Sequence, residues 1–306
     1  MTPGQESPEL RLAVRQMINR RETALWLMEE LDEPIAVFAL QAHLNENPEA
    51  VGERLRVALG IAIETQLEWR DEWQAWRKWR SAVEQLGVLV FQFPKVELTD
   101  ARGLSLLRFP LPVVGVNSKE QPESKCYTLL HEAVHLMLTA GHEETSAILE
   151  RRSGEEWETV ERFAESAASY VLVPEAALQM VAPSRSQAWD IPAVRRMARR
   201  FRVTPLAMAT RLRASGYMDW PQYRAWKDRW NEHVKTLRPR TGGFAHPVDM
   251  ALNRNGRPYV QLVLEALAAN RITTVDASRH LGLKFDHFDK LKESLRGGPV
   301  SGVSNE

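Results

Sequence analysis

Apolar residues recur three and four positions apart through the first 86 residues, which is the period of helices with one buried face. Breaks rich in Pro, Asn and Asp divide this region, and they predict three helical stretches, at residues 8–31, 48–59 and 63–86. The third stretch carries four tryptophans at spacings of four, three and three: Trp69, Trp73, Trp76 and Trp79. We expect these indoles to form a core seam along one helix stripe, and a ligand-binding aromatic box is the alternative.

The pattern changes after Gly87 into short runs of β-branched and aromatic residues separated by Pro, Asp and Gly. Such runs predict three strands, at residues 88–93, 104–109 and 113–116. Helical spacing returns at residues 125–139 and 155–172, and in shorter segments up to residue 235. The fold class that follows is α+β and mostly helical, with a short β-sheet packed against helices.

Residues 238–243, with the sequence Arg-Pro-Arg-Thr-Gly-Gly, have the composition of a linker. This break and the changes of pattern predict four parts of the chain. They are a helical N-terminal region at 1–60, a central domain at 61–237, a helical C-terminal unit at 244–296 and a disordered tail at 297–306.

Composition excludes several classes of protein. Apolar residues make up 44% of the chain and charged residues 26%, the balance of a globular protein with a buried core. Lys plus Arg and Asp plus Glu each number 40, so the net charge does not point to nucleic acid or membrane. No apolar run approaches the ~20 residues that span a bilayer, no signal-peptide pattern is present, and Cys126 is the only cysteine. We therefore expect a cytoplasmic protein without a cysteine-rich metal site.

A metal-binding pattern lies within the helix predicted at residues 125–139. His131 and His135 are four residues apart, so both imidazoles lie on one helix face and can reach one metal ion. Glu132 follows the first histidine, where its carboxylate can address a metal-bound water. The pattern favours a zinc site over the alternative, which is a pair of buried, hydrogen-bonded histidines on an amphipathic helix.

A catalytic zinc ion usually takes three protein ligands and keeps a fourth position for water. The helix predicted at residues 155–172 offers several carboxylates for the third position. Glu161 precedes a seam of alanines that would let this helix approach the histidine helix closely. Glu161 is therefore the first choice for the third ligand, and Glu158 and Glu165 are the alternatives.

The residues from Tyr127 through the HEAVH motif, together with the runs at 161–168 and 171–174, resemble the ImmA/IrrE metallopeptidases. That family combines an HExxH helix, an ExxA…A helix that bears the third ligand, and an end similar to LLxP. The resemblance covers roughly residues 50–235 and identifies Glu161 as the third ligand. Longer members begin with a Cro/repressor-type DNA-binding domain, and residues 1–50 do not show its pattern.

This resemblance implies a zincin-like core with one Zn²⁺ per chain, held by His131, His135 and Glu161. It also implies an endopeptidase that cleaves a helix-turn-helix repressor, a separate polypeptide encoded nearby, and so relieves repression in a stress, mobile-element or phage-defence response. The alternative is a non-proteolytic regulator with a structural metal site that binds DNA or a protein partner. Glu132 favours the peptidase, in which it is the catalytic base, because a structural site needs no acid beside its first histidine.

Three further residues are candidates for handling a peptide substrate. A peptidase requires a group that stabilises the oxyanion, and His142 and Tyr170 are the candidates for this role. A structural role is the alternative for each residue, and we favour it. The strand that ends near Asn117 is a candidate edge for holding an extended substrate by strand pairing.

Seven arginines lie between residues 195 and 213, in a segment with the rhythm of a helix-turn-helix. Four of them are the candidates for binding nucleic acid or a partner: Arg199, Arg200, Arg202 and Arg211. A solvated face beside the central domain is the alternative, and we favour it. The unit at 244–296 has a similar rhythm and is a candidate for docking or sensing, with completion of the fold as its alternative role.

Overall fold

The computed structural model describes residues 6–140, 154–182, 188–236 and 246–296. These ranges contain fourteen α-helices and a three-stranded sheet, so the predicted α+β, mostly helical fold is confirmed. The strands are β1 (Leu89–Phe93), β2 (Gly103–Leu106) and β3 (Val113–Asn117). The helices are α1 (Pro8–Glu30), α2 (Pro48–Ala58), α3 (Ile63–Leu67), α4 (Glu72–Gln85), α5 (Pro122–Thr139), α6 (Glu155–Leu172), α7 (Glu175–Val181), α8 (Ile191–Phe201), α9 (Pro205–Ala214), α10 (Trp220–Thr236), α11 (Pro247–Asn255), α12 (Arg257–Ala268), α13 (Thr274–Leu281) and α14 (Phe288–Arg296). None of the described helices is both long and apolar enough to cross a lipid bilayer. The predicted linker and the predicted C-terminal tail lie outside the described residues.

Capping side chains explain where the N-terminal helices begin. Ser7 caps α1 and Asn47 caps α2, each by accepting a hydrogen bond from a backbone N–H of the first turn, and a proline follows each cap. The stretch at 63–86 is two helices, so the prediction of one continuous helix is wrong. The break occurs because Asp71 starts a new helix by accepting a hydrogen bond from the Gln74 N–H at 2.7 Å.

The four tryptophans divide around this break. Trp69 lies between α3 and α4 and packs edge-on against Trp79, with 5.5 Å between ring centroids. Both rings are buried in one core together with Trp76. Trp73 is 46% exposed, so the core seam holds three indoles rather than the predicted four.

β3 lies at the centre of the sheet, parallel to β1 and antiparallel to β2. Its pairing with β2 runs from Gly103 opposite Val116 to Leu106 opposite Val113. β2 ends at Leu106, short of the predicted end at residue 109. On the facing segment, the next residue that would bond to β2 is Leu111, whose φ of 64° takes the backbone out of the extended conformation.

The two faces of the sheet are covered by different helices. Val114 and Val116 point to the face that packs against α5. Val113 and Phe91 point to the other face, which α1 and the C-terminal helices cover. Gly115 also faces α1, and a Cβ atom at this position would meet the Met17 sulfur at 2.5 Å. α1 therefore packs directly on the backbone of the central strand.

The C-terminal helices α11–α14 share the core of this second face. Tyr259 on α12 packs edge-on against Phe91, with 5.6 Å between ring centroids. Buried Arg80 on α4 donates to the Glu84 carboxylate at 2.9 Å and to the Asn253 carbonyl of α11 at 2.8 Å. These contacts favour completion of the fold as the role of the C-terminal unit.

A truncated chain tests this role. A chain that ends at Thr236 lacks α11–α14, so apolar surface on Phe91 and α1 becomes exposed to water. We expect this chain to lose the cooperative thermal unfolding of the full-length protein and to elute as aggregates in size-exclusion chromatography. A monodisperse truncated chain that unfolds cooperatively would instead favour docking or sensing as the role of these helices.

A buried lysine ties α5 to the sheet. Lys125, in the first turn of α5, donates to Gln92 Oε1 on β1 at 2.9 Å, and the Trp76 ring lies 5.9 Å from its amine. Burial, together with the positive charge of Arg80, lowers the pKa of Lys125 to about 8. The start of the helix that carries the histidines is therefore fixed by a polar contact inside the core.

The lowered pKa of Lys125 predicts that the free energy of unfolding depends on pH. The Lys125 amine has an ordinary pKa of 10.5 and a pKa of about 8 in the folded protein, so between these values the unfolded state binds more protons. The free energy of unfolding of the parent should therefore rise relative to that of Lys125→Met as the pH increases through this window. Urea unfolding at about pH 7 and about pH 10 measures the free energy of unfolding of both proteins. Subtraction of the value for Lys125→Met from that of the parent cancels the contributions of the other titrating groups. An identical pH dependence of the two proteins would contradict the prediction.

Candidate metal centre

α5 and α6 pack side by side and carry the predicted metal ligands. The buried side of α6 contains Ala164, Ala167 and Ala168, which let neighbouring helices approach closely. On α2, Gly52 lies so near to α6 that a Cβ atom would be 2.7 Å from the Ala167 carbonyl oxygen. α6 is thus held between α2 and α5, and Glu161 faces the histidines of α5.

Three potential ligand atoms converge at the interface of α5 and α6. His135 Nε2 lies 2.9 Å from His131 Nε2 and 3.0 Å from Glu161 Oε1. His131 Nε2 lies 3.5 Å from Glu161 Oε2. Ligands bound about 2.0–2.1 Å from a tetrahedral ion stand about 3.3 Å from one another, so this triangle has the size of a zinc site. No other group of three potential ligand residues gathers in this way among the described residues.

Glu161 is the carboxylate of this cluster, whereas Glu158 and Glu165 are exposed and lie outside it. Burial alone would raise the pKa of Glu161, but the two imidazoles hold it well below its ordinary value. Burial would likewise lower the pKa of His131, but the carboxylates of Glu161 and Glu132 raise it. A negative charge is therefore fixed beside two imidazoles, and this environment attracts a cation.

Glu132 lies against the edge strand β2. Its side chain is largely buried, and a Cβ atom added to Gly103 would lie 2.9 Å from Glu132 Oε1 and would also overlap the Thr128 methyl group. Glycine is the residue that permits this close approach. Within the described residues β2 pairs with β3 alone, so β2 is an edge strand of the sheet, and Gly103 places it beside Glu132.

A polar network fixes the start of β2 against α5. Thr128 Oγ1 donates to the buried Glu120 carboxylate at 2.8 Å, and Arg102 Nη1 donates to the same carboxylate at 3.2 Å. Burial raises the pKa of Glu120, although both donors act to lower it. Thr128 lies one helical turn before Glu132, so the network anchors β2 next to the candidate base.

Sequence reasoning missed four residues that shape this site: Gly103, Glu120, Tyr127 and Trp157. The Tyr127 ring stacks on His131, and the Trp157 ring stacks on His135. Tyr127 precedes His131 by four positions and Trp157 precedes Glu161 by four, a helical spacing that the sequence already shows. Gly103 and Glu120 have no such signal, because they reach α5 through tertiary packing.

The structure describes only one of the two candidates for stabilising the oxyanion. His142 lies outside the described residues. Tyr170 follows Glu161 by nine residues on α6, which places the two side chains on opposite sides of the helix. The Arg211 guanidinium lies 3.9 Å above the Tyr170 ring, and Gly52 of α2 packs against the Tyr170 Cβ atom. The structure therefore does not bring Tyr170 to the metal cluster.

The prediction that the strand ending near Asn117 is a free edge is wrong. This strand is β3, which has a paired strand on each side. Asn117 itself is fully buried, and its amide nitrogen donates to the Val96 and Ala101 carbonyls at 3.1 and 2.8 Å. The edge strand on the side of Glu132 is β2.

The four candidate arginines differ in their surroundings. Arg199 and Arg200 are exposed in the last turn of α8, and binding of a partner by these two stays a prediction. Arg202 donates to a backbone carbonyl between α3 and α4. Arg211 is buried and forms an ion pair with Glu175 at 2.9 Å. The predicted binding role of Arg211 is therefore wrong, because its guanidinium belongs to the core.

Comparison with known proteins agrees with this geometry. Residues 83–213 match the peptidase family model described as the IrrE N-terminal-like domain. No curated protein is similar enough in sequence to be matched to the chain. The family match begins in α4 and ends in α9, so it includes the sheet, α5, α6 and the whole metal cluster. The match spans a little under half of the chain, and this part of the chain is similar to the IrrE N-terminal-like domain of that peptidase family.

Proposed function

We propose that this protein is a zinc-dependent endopeptidase that acts in the cytoplasm. The observation that carries the proposal is the convergence of His131, His135 and Glu161, with Glu132 beside them on α5. The described residues bring three ligands together, which is the number typical of a catalytic zinc ion, whereas a structural zinc ion is usually enclosed by four. This difference favours a peptidase over the alternative, a non-proteolytic regulator with a structural metal site.

The residues of the site have separate roles in the proposed reaction. His131, His135 and Glu161 would hold zinc, which polarises a peptide carbonyl and activates water when it is bound. Glu132 accepts a proton from the attacking water and returns it to the amine that leaves the cleaved peptide bond. Its position against Gly103 keeps the carboxylate largely shielded from solvent during this transfer.

We assign the outer edge of β2 to the substrate. This edge has no partner strand within the described residues, and Gly103 places it next to Glu132. An extended peptide can add to such an edge as a further strand, with main-chain hydrogen bonds supplying affinity. The proposed substrate-binding strand is therefore β2, in place of the strand of Asn117 that the sequence suggested.

The proposed substrate is a helix-turn-helix repressor that is encoded nearby and cleaved in trans. Support comes from the resemblance to ImmA/IrrE metallopeptidases and from the peptidase-family match of residues 83–213. Cleavage of the repressor would relieve repression in a stress, mobile-element or phage-defence response.

Substitutions in the cluster separate metal binding from catalysis. Glu132→Gln keeps the shape of the side chain but cannot accept a proton, so zinc should stay bound while cleavage of the repressor falls by at least about 10²-fold. His131→Ala, His135→Ala and Glu161→Ala each remove one ligand, so each should lose zinc. Elemental analysis measures zinc per chain, and electrophoresis of the cleavage products measures the rate.

Glu158→Ala and Glu165→Ala are matched controls, because both residues are exposed on the helix that carries Glu161. Both controls should keep zinc. Full zinc occupancy in Glu161→Ala would contradict the assigned third ligand, and undiminished cleavage by Glu132→Gln would contradict the assigned base.

Gly103→Ala tests the close approach of β2 to the base. The added Cβ atom overlaps Thr128 and lies 2.9 Å from Glu132 Oε1, so the carboxylate must shift. We expect cleavage to fall at least about tenfold while zinc stays bound. Addition of Thr128→Ser removes the overlapping methyl group and keeps the hydroxyl that binds Glu120, so it should restore part of the rate. A parental rate in Gly103→Ala would show that this spacing is not required.

A further inference from the structure

Among the described residues, the two imidazoles of the metal cluster have none of the protein hydrogen bonds that usually orient such ligands. A metal-ligating histidine commonly donates its second ring N–H to a carboxylate, a carbonyl or water, and this bond fixes the ring plane. The Nδ1 atoms of His131 and His135 are buried, and neither has a hydrogen-bond partner among the described residues. Within the described part of the chain, the contacts that can set the planes of these rings are therefore packing contacts.

An aromatic ring lies against each imidazole. Tyr127 stacks on His131 with 6.2 Å between ring centroids and 23° between ring planes. Trp157 stacks on His135 with 5.9 Å between ring centroids and 9° between ring planes. Both distances fall within the range of aromatic pairs, about 4.5–7 Å. The two imidazoles are nearly perpendicular, at 87°, so a single aromatic ring could not stack on both.

The same two aromatic residues connect the helices that carry the ligands. Trp157 lies on α6, one turn before Glu161, and its ring reaches across to α5. Tyr127 lies on α5, one turn before His131, and its hydroxyl donates to the Glu165 carbonyl of α6 at 3.4 Å. Tyr127 and Trp157 therefore contact the imidazoles and also connect α5 to α6.

We infer that Tyr127 and Trp157 are positioning residues that hold the imidazoles of His131 and His135 in the orientation that binds metal. The inference rests on the metal site of the proposed function and adds two residues that are not ligands. A flat ring stacked on an imidazole sets its plane, whereas an aliphatic side chain of similar bulk does not. Loss of either ring should therefore weaken metal binding, because the ligands remain but are less well oriented.

The test is the zinc affinity of the full-length chain, measured by competition with a chromogenic chelator under conditions in which each protein is folded. Trp157→Leu and Tyr127→Leu keep apolar bulk but remove the ring, and each should bind zinc about tenfold more weakly or worse. Trp157→Phe and Tyr127→Phe keep a ring and should bind zinc within about threefold of the parent. Trp220→Leu removes an exposed indole from α10 and is the matched control, with parental affinity expected.

The absorption spectrum of bound Co²⁺ gives a second readout, because its bands depend on the geometry of the ligands. A changed spectrum in the Leu variants and a parental spectrum in the Phe variants would support a role in orientation. A general loss of stability would not produce this pattern. Should Trp157→Leu fail to fold, Tyr127→Leu applies the same test at the other imidazole.

The outcomes separate this inference from the proposed function. A parent chain that binds no zinc would overturn both. A parent chain that binds zinc, together with Leu variants of equal affinity and unchanged Co²⁺ spectra, would overturn the inference alone.

Discussion

The contact between α5 and α6 is the constraint on which the rest of the structure depends, because ligand atoms from two helices must meet at one point. Glu161 reaches the histidines only if the backbones of these helices lie close together, and the small residues of α6 permit this. On the far side of α6, Gly52 allows α2 to pack just as closely. On the far side of α5, Lys125 and Glu120 fix that helix to the sheet and to the start of β2. The metal cluster is thus held by packing layers that extend well beyond the ligands.

Much of this support comes from buried polar groups, which is unusual for a core. Desolvation raises the pKa values of Glu84 and Glu120 and lowers that of Lys125, which shows that each group is held in a poorly solvated place. Each of the three has a partner, respectively Arg80, Thr128 with Arg102, and Gln92. Removal of one partner from such a pair costs more than the pair contributes, since the remaining group stays buried and unpaired. These contacts therefore favour one placement of α4, α5 and β2 over neighbouring ones.

Features that depend on spacing along a single helix could be predicted from the sequence. The positions of His131 and His135 and the limits of α6 belong to this group, because a helical period determines which side chains share a face. Features that depend on tertiary packing could not. The order of the strands is not contained in the pattern of any one strand, so β3 was expected at an edge although it lies at the centre. Arg211 has the sequence context of a surface charge, but its partner Glu175 lies 36 residues away and draws it into the core.

The edge strand β2 joins the chemistry on one face of the sheet to the support on the other. Gly103 faces α5 and Glu132, while the next residue, Leu104, faces the core formed with α1 and the C-terminal helices. Because side chains alternate along a strand, the position of Gly103 beside the base depends on the packing of Leu104 on the opposite face. The C-terminal helices contribute no ligand to the cluster, but they complete the core that holds this strand in place. The site in the middle of the chain therefore depends for its geometry on segments from both ends of the described sequence.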